Sequence, residues 1–307
     1  MQHLLNKYNI RGSLNQVHGH GHWSSYFCSF SSQNSNSRKT TKKKQTKSSR
    51  QWTMRQQKDP YVKMAKSRGS PSRAIFKLEE IENMAATFIK QQNQKRQKKK
   101  KKPVSPTVFH PSCTVIDLGA APGSWTQWLG ERLDSNGILI ALDLLELDER
   151  TVNGIEYNED GPSFHCIQGD FTKNETKQHI LDILLEEDKS HGVDCVISDM
   201  AANFTGDSLT DALRTMNLCE DALMLAAGSS CFDPRFIPAT SKSDGVLRNG
   251  GTFLCKFFAC GQTNEEDLRE AIGRNFEVST VLKPKASRKE SAELYMFATG
   301  YKGSQKQ

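Results

Sequence analysis

From Cys113 onward, short apolar runs alternate with stretches of helical spacing, and this rhythm restricts the fold more than any other feature of the chain. The runs are CTVIDL, GILIALD, FHCIQ, VDCVISD, GTFLCKFF, FEVSTVL and ELYMFATG. Short apolar segments bounded by turn residues are the pattern of buried strands. Strands interleaved with helices predict an α/β domain, a seven-stranded, mostly parallel sheet with helices on both faces. In such sheets ligands bind at the carboxyl ends of the strands, where the strand order reverses. Candidate chemistry is therefore sought in the residues that end each strand.

The first strand runs into GAAPGSW and then into a helix that begins near Trp125. A turn of small residues at that place lets the backbone approach a nucleotide-like ligand and leaves N–H groups facing it. By itself the turn can equally be a tight connection, since it is neither GxGxxG nor a Walker loop. Three strand ends add to it: Asp143 in LIALD, Asp170 in QGD and Asp199 in VISDM. A carboxylate after the second strand can accept both ribose hydroxyls of a nucleoside, and one after the third can accept an adenine amino group. An anionic rim tolerates a cationic sulfonium and would repel a pyrophosphate. Any single one of these aspartates is as well explained as a cap or a loop former. Taken together with the glycine turn, they point to S-adenosylmethionine.

The segments SRAIFKLEEI, DLGAAPGSWTQWL, QGDF, SDMAANFTG, GTFLCKFF and SAELYMFATG resemble the FtsJ/RrmJ-type ribosomal RNA 2'-O-methyltransferases, and among these the mitochondrial members most. The likeness covers about residues 59 to 91 and 111 to 302. It implies a Rossmann-like S-adenosylmethionine-dependent methyltransferase fold. It also implies a catalytic set of Lys77, Asp199, Lys256 and Glu293, with Gly123, Trp125, Asp143, Asp170 and Asp199 binding the cofactor and no metal. The chain departs from the family pattern at Ala202, where proline is usual, in a longer 91–110 segment, and in an enlarged loop at 228–249.

The implied set makes chemical sense. A ribose hydroxyl is a poor nucleophile near neutral pH, so methyl transfer gains from a base that takes its proton as the carbon–oxygen bond forms. A lysine serves as that base only where burial or a second ammonium makes its own proton easier to lose. Lys77 in a helix and Glu293 at a strand start would ordinarily be solvated. Lys256 differs, because a lysine inside GTFLCKFF interrupts an apolar strand at a desolvation cost. It is the first choice for the base.

The front of the chain has another character. Residues 1 to 58 hold eleven Lys/Arg and no Asp or Glu, residues 59 to 102 hold 13 basic and 4 acidic side chains, and everything from 103 onward holds 18 basic against 31 acidic. Phosphate attraction needs lysine and arginine on the contact surface, so affinity for RNA is expected from the part before residue 103, with Arg68, Arg73 and Lys98 to Lys102 as candidates. Exclusion of acids from a segment rich in Ser, Asn, Gln and Arg fits a mitochondrial presequence, and a basic tail is the plainer alternative.

The predicted organisation is thus a leader at 1–58, a helical segment at 59–90 whose helix starts at Ser70 or Ser72, and a basic low-complexity linker at 91–110 that buries no core. A catalytic domain at 111–302 carries the 228–249 loop and ends in a short tail at 303–307. The eight cysteines show no metal-binding spacing and read as buried thiols. No apolar run is long enough to span a membrane. The expected partner is RNA, since DNA lacks the 2'-hydroxyl, and the chain is expected to act as a monomer in the mitochondrial matrix. By resemblance the target is a uridine of large-subunit ribosomal RNA. A transfer RNA or messenger RNA cap methyltransferase, and an assembly factor whose methylation is dispensable, are the alternatives.

Overall fold

The computed structural model describes Met54 and residues 57–229, 244–259, 262–288 and 290–303. Most of the leader, the middle of the 228–249 loop, and Cys28, Cys231 and Cys260 lie outside the described residues. The compact unit runs from Asp59. Its elements are α1 (Pro60–Ser67), α2 (Ala74–Lys98), β1 (Thr114–Leu118), α3 (Ser124–Gly130), β2 (Ile138–Asp143), α4 (Glu149–Glu156), β3 (Ser163–Gln168), α5 (Asn174–Glu186), β4 (Val193–Ser198), α6 (Ser208–Ala227), β5 (Leu247–Phe258), α7 (Gln262–Asn275), β6 (Phe276–Leu282) and β7 (Glu293–Tyr301).

The predicted strands all form, in one sheet of order β3-β2-β1-β4-β5-β7-β6. Pairings from β3 through β5 are parallel, whereas β7 runs antiparallel to both β5 and β6. The order reverses between β1 and β4, the place where such sheets open a cleft at their carboxyl ends.

Alternation along the strands divides the core into two layers. Ile116, Val196, Phe253, Phe257 and Met296 face one layer, with Ile180, Met216 and Ile272 of α5, α6 and α7. Val115, Cys195, Leu254, Tyr295 and Phe297 face the other, with Ile75 and Leu78 of α2, Trp125 and Trp128 of α3, and Ile155 of α4. By the same period of two, Asp117, Lys256 and Glu293 point toward the α2 and α3 side.

The structure corrects several expectations. Ahead of the expected start at Ser70 or Ser72 there is already a helix, α1, started by the Asp59 side chain, which accepts from the Tyr61 N–H at 3.0 Å, with Pro60 at its first position. Helix α2 starts at Ala74, where the Ser72 hydroxyl accepts the Ala74 N–H at 3.1 Å. It does not stop at Lys90. Gln, Lys and Arg are good helix formers, and α2 carries them on to Lys98. The returning chain then buries Val104, Val108 and Phe109, so 91–110 is neither a flexible linker nor coreless. Strand β5 likewise begins at Leu247, inside the segment read as loop. Of the described cysteines, Cys113, Cys195, Cys219 and Cys255 are buried free thiols, and Cys166 is exposed.

Asn93 fixes the chain reversal after α2: its amide donates to the Val104 carbonyl and accepts from the Val104 N–H, both at 2.9 Å. Asn93→Ala removes both bonds from a partly buried position. A loss of about 1–3 kcal/mol is expected in urea unfolding, and an unchanged midpoint would mean that the 91–110 segment is not anchored there.

Candidate active site

Asp199 follows the last residue of β4 at the carboxyl edge of the sheet and receives charge from two sides. The Lys77 ammonium on α2 lies 3.7 Å from its Oδ2, and the Lys256 side-chain nitrogen on β5 lies 3.1 Å from its Oδ1. Lys256 also donates to the Asp199 carbonyl oxygen. Glu293, the first residue of β7, accepts from Lys77 at 2.9 Å. The structure therefore brings together all four residues of the implied set. They come from a helix, two strands and a strand end, and they meet because α2 packs on the face toward which Lys256 and Glu293 point.

The electrostatics follow from this crowding. Lys256 is only 7 % exposed. Burial works to strip the Lys77 proton, but the carboxylates of Asp199 and Glu293 outweigh it and hold that ammonium above its ordinary value. Asp199 is the mirror case, since burial raises its carboxyl while Lys256, Lys77 and the Tyr295 hydroxyl bring it below the usual range. Lys77 and Asp199 are thus ionised and mutually satisfied, as buried charges must be.

Three contributors to this site escape the sequence. The Tyr295 hydroxyl donates to Asp199 Oδ1 at 2.7 Å, and its fully buried phenol is pushed well above its ordinary value by burial and by Asp199. A tyrosine two positions after Glu293 shares its face of the strand, so period-two reading contains that signal. The Ser287 hydroxyl donates to Glu293 Oε1 at 2.6 Å from an irregular loop, where no periodicity could reveal it. The third, Asp117, stands inside the buried strand β1 and accepts from the Thr126 hydroxyl at 2.8 Å. An acid within TVIDL is as anomalous as the lysine within GTFLCKFF.

The predicted cofactor residues lie along the carboxyl edge. Gly123 precedes α3 with φ 114°, and a Cβ there would come within 2.8 Å of the Thr151 side chain. Only glycine makes that turn without strain. Asp143 organises the same turn, accepting the Ala121 N–H on one oxygen and the Leu145 N–H on the other, both at 2.9 Å. The Trp125 indole is buried, with its N–H given to the Ala74 carbonyl at 2.8 Å, so only its backbone can face a ligand. Asp170 stands apart from the charged network and is bonded to Thr172 and near Lys173. Burial works to raise its carboxyl, but Thr172 and Lys173 prevail and hold it below the ordinary value.

Of the proposed RNA-contacting residues, Lys98 to Lys102 are exposed. Arg73 is not available. Its guanidinium is bound to Asp59 and to the Ala286 carbonyl, clamping α1 and the loop before β7. Arg68 is paired with Glu79 and Glu131. Among the described residues no cluster of side chains is suited to a metal ion, and no helix is long and apolar enough to cross a membrane.

A model of the FtsJ-like methyltransferase family matches residues 71–301. The Ribosomal RNA large subunit methyltransferase E of Bradyrhizobium diazoefficiens is 35 % identical over 262 residues, which cover 84 % of this chain and 90 % of that one. The protein of the same name from Pseudomonas paraeruginosa is 36 % identical over 258 residues, covering 84 % and 98 %. Among solved structures, a ribosomal RNA methyltransferase from Plasmodium falciparum covers 76 % of this chain and 98 % of its own at 21 % identity, with a TM-score of 0.48.

Asp117 carries a pH signature. Burial pushes its carboxyl up to about 7, aided by Asp199 and Asp143 and opposed by Thr126. In the unfolded chain it ionises near 3.8, so between about pH 4 and 7 the folded protein holds a proton that the unfolded chain has released. Stability therefore falls as pH rises through that window, by at most on the order of 4 kcal/mol, and levels off above it. Asp117→Asn keeps an acceptor for Thr126 and removes the titration. Thermal unfolding should find the variant more stable than the native protein above pH 7, with the gap closing toward pH 4. A gap independent of pH would show that Asp117 is ionised throughout.

Proposed function

Because the chain belongs to the FtsJ-like methyltransferase family, we propose that it transfers a methyl group from S-adenosylmethionine to the 2'-hydroxyl of a ribose in ribosomal RNA, and that the target is a uridine of the mitochondrial large subunit. The observation that carries this reading is the cluster of part-buried Lys77 and Asp199 with buried Lys256 and Glu293 beside the Gly123 turn.

The residues present suit the cofactor. The N–H groups that open α3, at Ser124 and Trp125, have no helical partner and can receive a carboxylate. Each oxygen of Asp143 accepts one backbone N–H and keeps a lone pair for a ribose hydroxyl. Ionised Asp170 can accept an amino group. When bound, S-adenosylmethionine supplies an electrophilic methyl carbon on a positively charged sulfur.

In the proposed reaction Lys256 is the residue that would take the proton of the ribose hydroxyl, while S-adenosylmethionine, once bound, would give up its methyl group to that oxygen and leave with the carbon–sulfur electron pair. Lys77 keeps its proton, because two carboxylates hold it, and so acts as a fixed positive charge near the developing oxyanion. Asp199 joins the two lysines, with Tyr295 bracing one of its oxygens. Glu293 anchors Lys77 and is itself held by Ser287. The rest is positioning of the ribose hydroxyl against the donor that these residues would hold. The exposed lysines from Lys98 to Lys102 extend from the end of α2 and supply phosphate contacts.

Lys256→Ala should lower kcat by roughly 10²- to 10⁴-fold with little change in affinity for the cofactor. Mapping ribose methylation across cellular RNA, with and without the protein, checks the substrate. A mark lost from transfer RNA or from caps, with ribosomal RNA intact, would assign another RNA. The acid-free leader supports import into the mitochondrial matrix, where the protein acts as a monomer. A reporter fused behind residues 1–58 should enter mitochondria, and its retention in the cytosol would refute that placement.

A further inference from the structure

Beside the charged cluster lies a surface that the reaction as described does not use. Phe204, in the segment that follows Asp199, is 67 % exposed. Its ring meets that of Phe258 edge-on, with centroids 5.8 Å apart at 63°. A single exposed phenyl needs no explanation by itself; this one gains meaning from its place. Phe258 is two residues beyond Lys256 on β5, so it projects from the same face of the sheet about 7 Å farther toward the carboxyl edge. In the β5–β7 register it stands opposite Glu293.

The segment that carries Phe204 is built to hold its shape. The Asp211 carboxylate reaches back from α6 to accept the Thr205 N–H at 2.7 Å, the Thr205 hydroxyl at 2.8 Å and the Gly206 N–H at 3.2 Å. Asp207 caps α6 through the Thr210 N–H at 3.0 Å. The residue next to Phe204 is thus fixed by a buried acid, and the exposed ring is presented rather than loosely attached.

We infer that Phe204, backed by Phe258, is a stacking platform for the base of the nucleotide whose ribose is methylated. The inference rests on the reading that RNA is the substrate. A ribose held at Lys256 must carry its base one glycosidic bond away. Phe204 and Phe258 present no charge or hydrogen-bonding group to a phosphate, whereas a phenyl face suits the flat face of a base. Phenyl rings carry no hydrogen-bonding groups, so this platform would accept any base by its π-face and leave sequence choice to other contacts. It would also hold the base out of its own RNA stack, which frees the 2'-hydroxyl for attack.

The test uses the full chain and two readouts. One is affinity for single-stranded oligouridylate. The other is kcat/KM on large ribosomal subunits from cells lacking the protein. Phe204→Ala and Phe204→Leu should both weaken oligouridylate binding, and lower kcat/KM, by about 5- to 100-fold. Phe204→Tyr should restore both, and cofactor affinity should not move. An RNA with an abasic target nucleotide should bind the native protein and Phe204→Ala alike. A Phe204→Leu variant that matches the native protein would overturn the inference, as would a Phe204→Ala effect that persists on the abasic RNA. A native self-association abolished by Phe204→Ala would also overturn it, by making the ring a contact for a second copy. Should the native protein transfer no methyl group while oligouridylate binding still depends on Phe204, the enzymatic reading fails and Phe204 keeps a base-stacking role that serves no methylated nucleotide.

Discussion

The carboxylate of Asp199 sits between two lysines drawn from opposite sides of the site, and much of the architecture serves to keep that arrangement dry and paired. Removing any one member of such a network strands a buried charge, a far larger cost than the net worth of an intact pair. The remaining groups read as answers to that hazard. Tyr295 gives Asp199 a neutral donor, Glu293 gives Lys77 a second counter-charge, and Ser287 occupies the far oxygen of Glu293. A site made of neutral groups would need none of these braces. Their presence argues that the two lysines are wanted for chemistry, because a lysine contributes nothing to a core that leucine would not contribute with less desolvation.

Geometry delivers these groups through the simplest rule of a strand. Alternate side chains face alternate layers, so the face that takes Leu254 also takes Lys256, and the face that takes Tyr295 also takes Glu293. Helix α2 closes that layer and brings Lys77 with it. Its start is fixed by contacts to α3, where Ser72 meets Ser124 at 2.8 Å and Trp125 donates to Ala74. The glycine turn and the charged cluster are therefore coupled through the same short stretch of backbone, and packing sets the distance between them.

Much of this is legible in the sequence for a physical reason. Short apolar runs, a glycine turn and strand-end acids are local patterns, and a lysine within an apolar strand is a local anomaly. Legibility fails where the meaning of a residue is set by a distant partner. Arg73 reads as a phosphate ligand until Asp59 and Ala286 claim it, and the lysine-rich stretch after Lys90 reads as unstructured until α2 continues through it and Asn93 ties down the return. Asp117 breaks the same rule as Lys256 yet draws less notice, because a carboxyl can hide its charge by keeping a proton and an apolar strand tolerates it in that form. Ser287 has no signal at all, since loops carry no period.

Charge is distributed along the chain in keeping with this division of labour. The segment from residue 103 onward is strongly acidic, with 31 acids against 18 bases, and would repel an RNA backbone at long range. The exposed lysines at the end of α2 offset that repulsion at one edge. An RNA backbone approaching the domain would therefore meet favourable charge at that border and unfavourable charge from the acidic remainder.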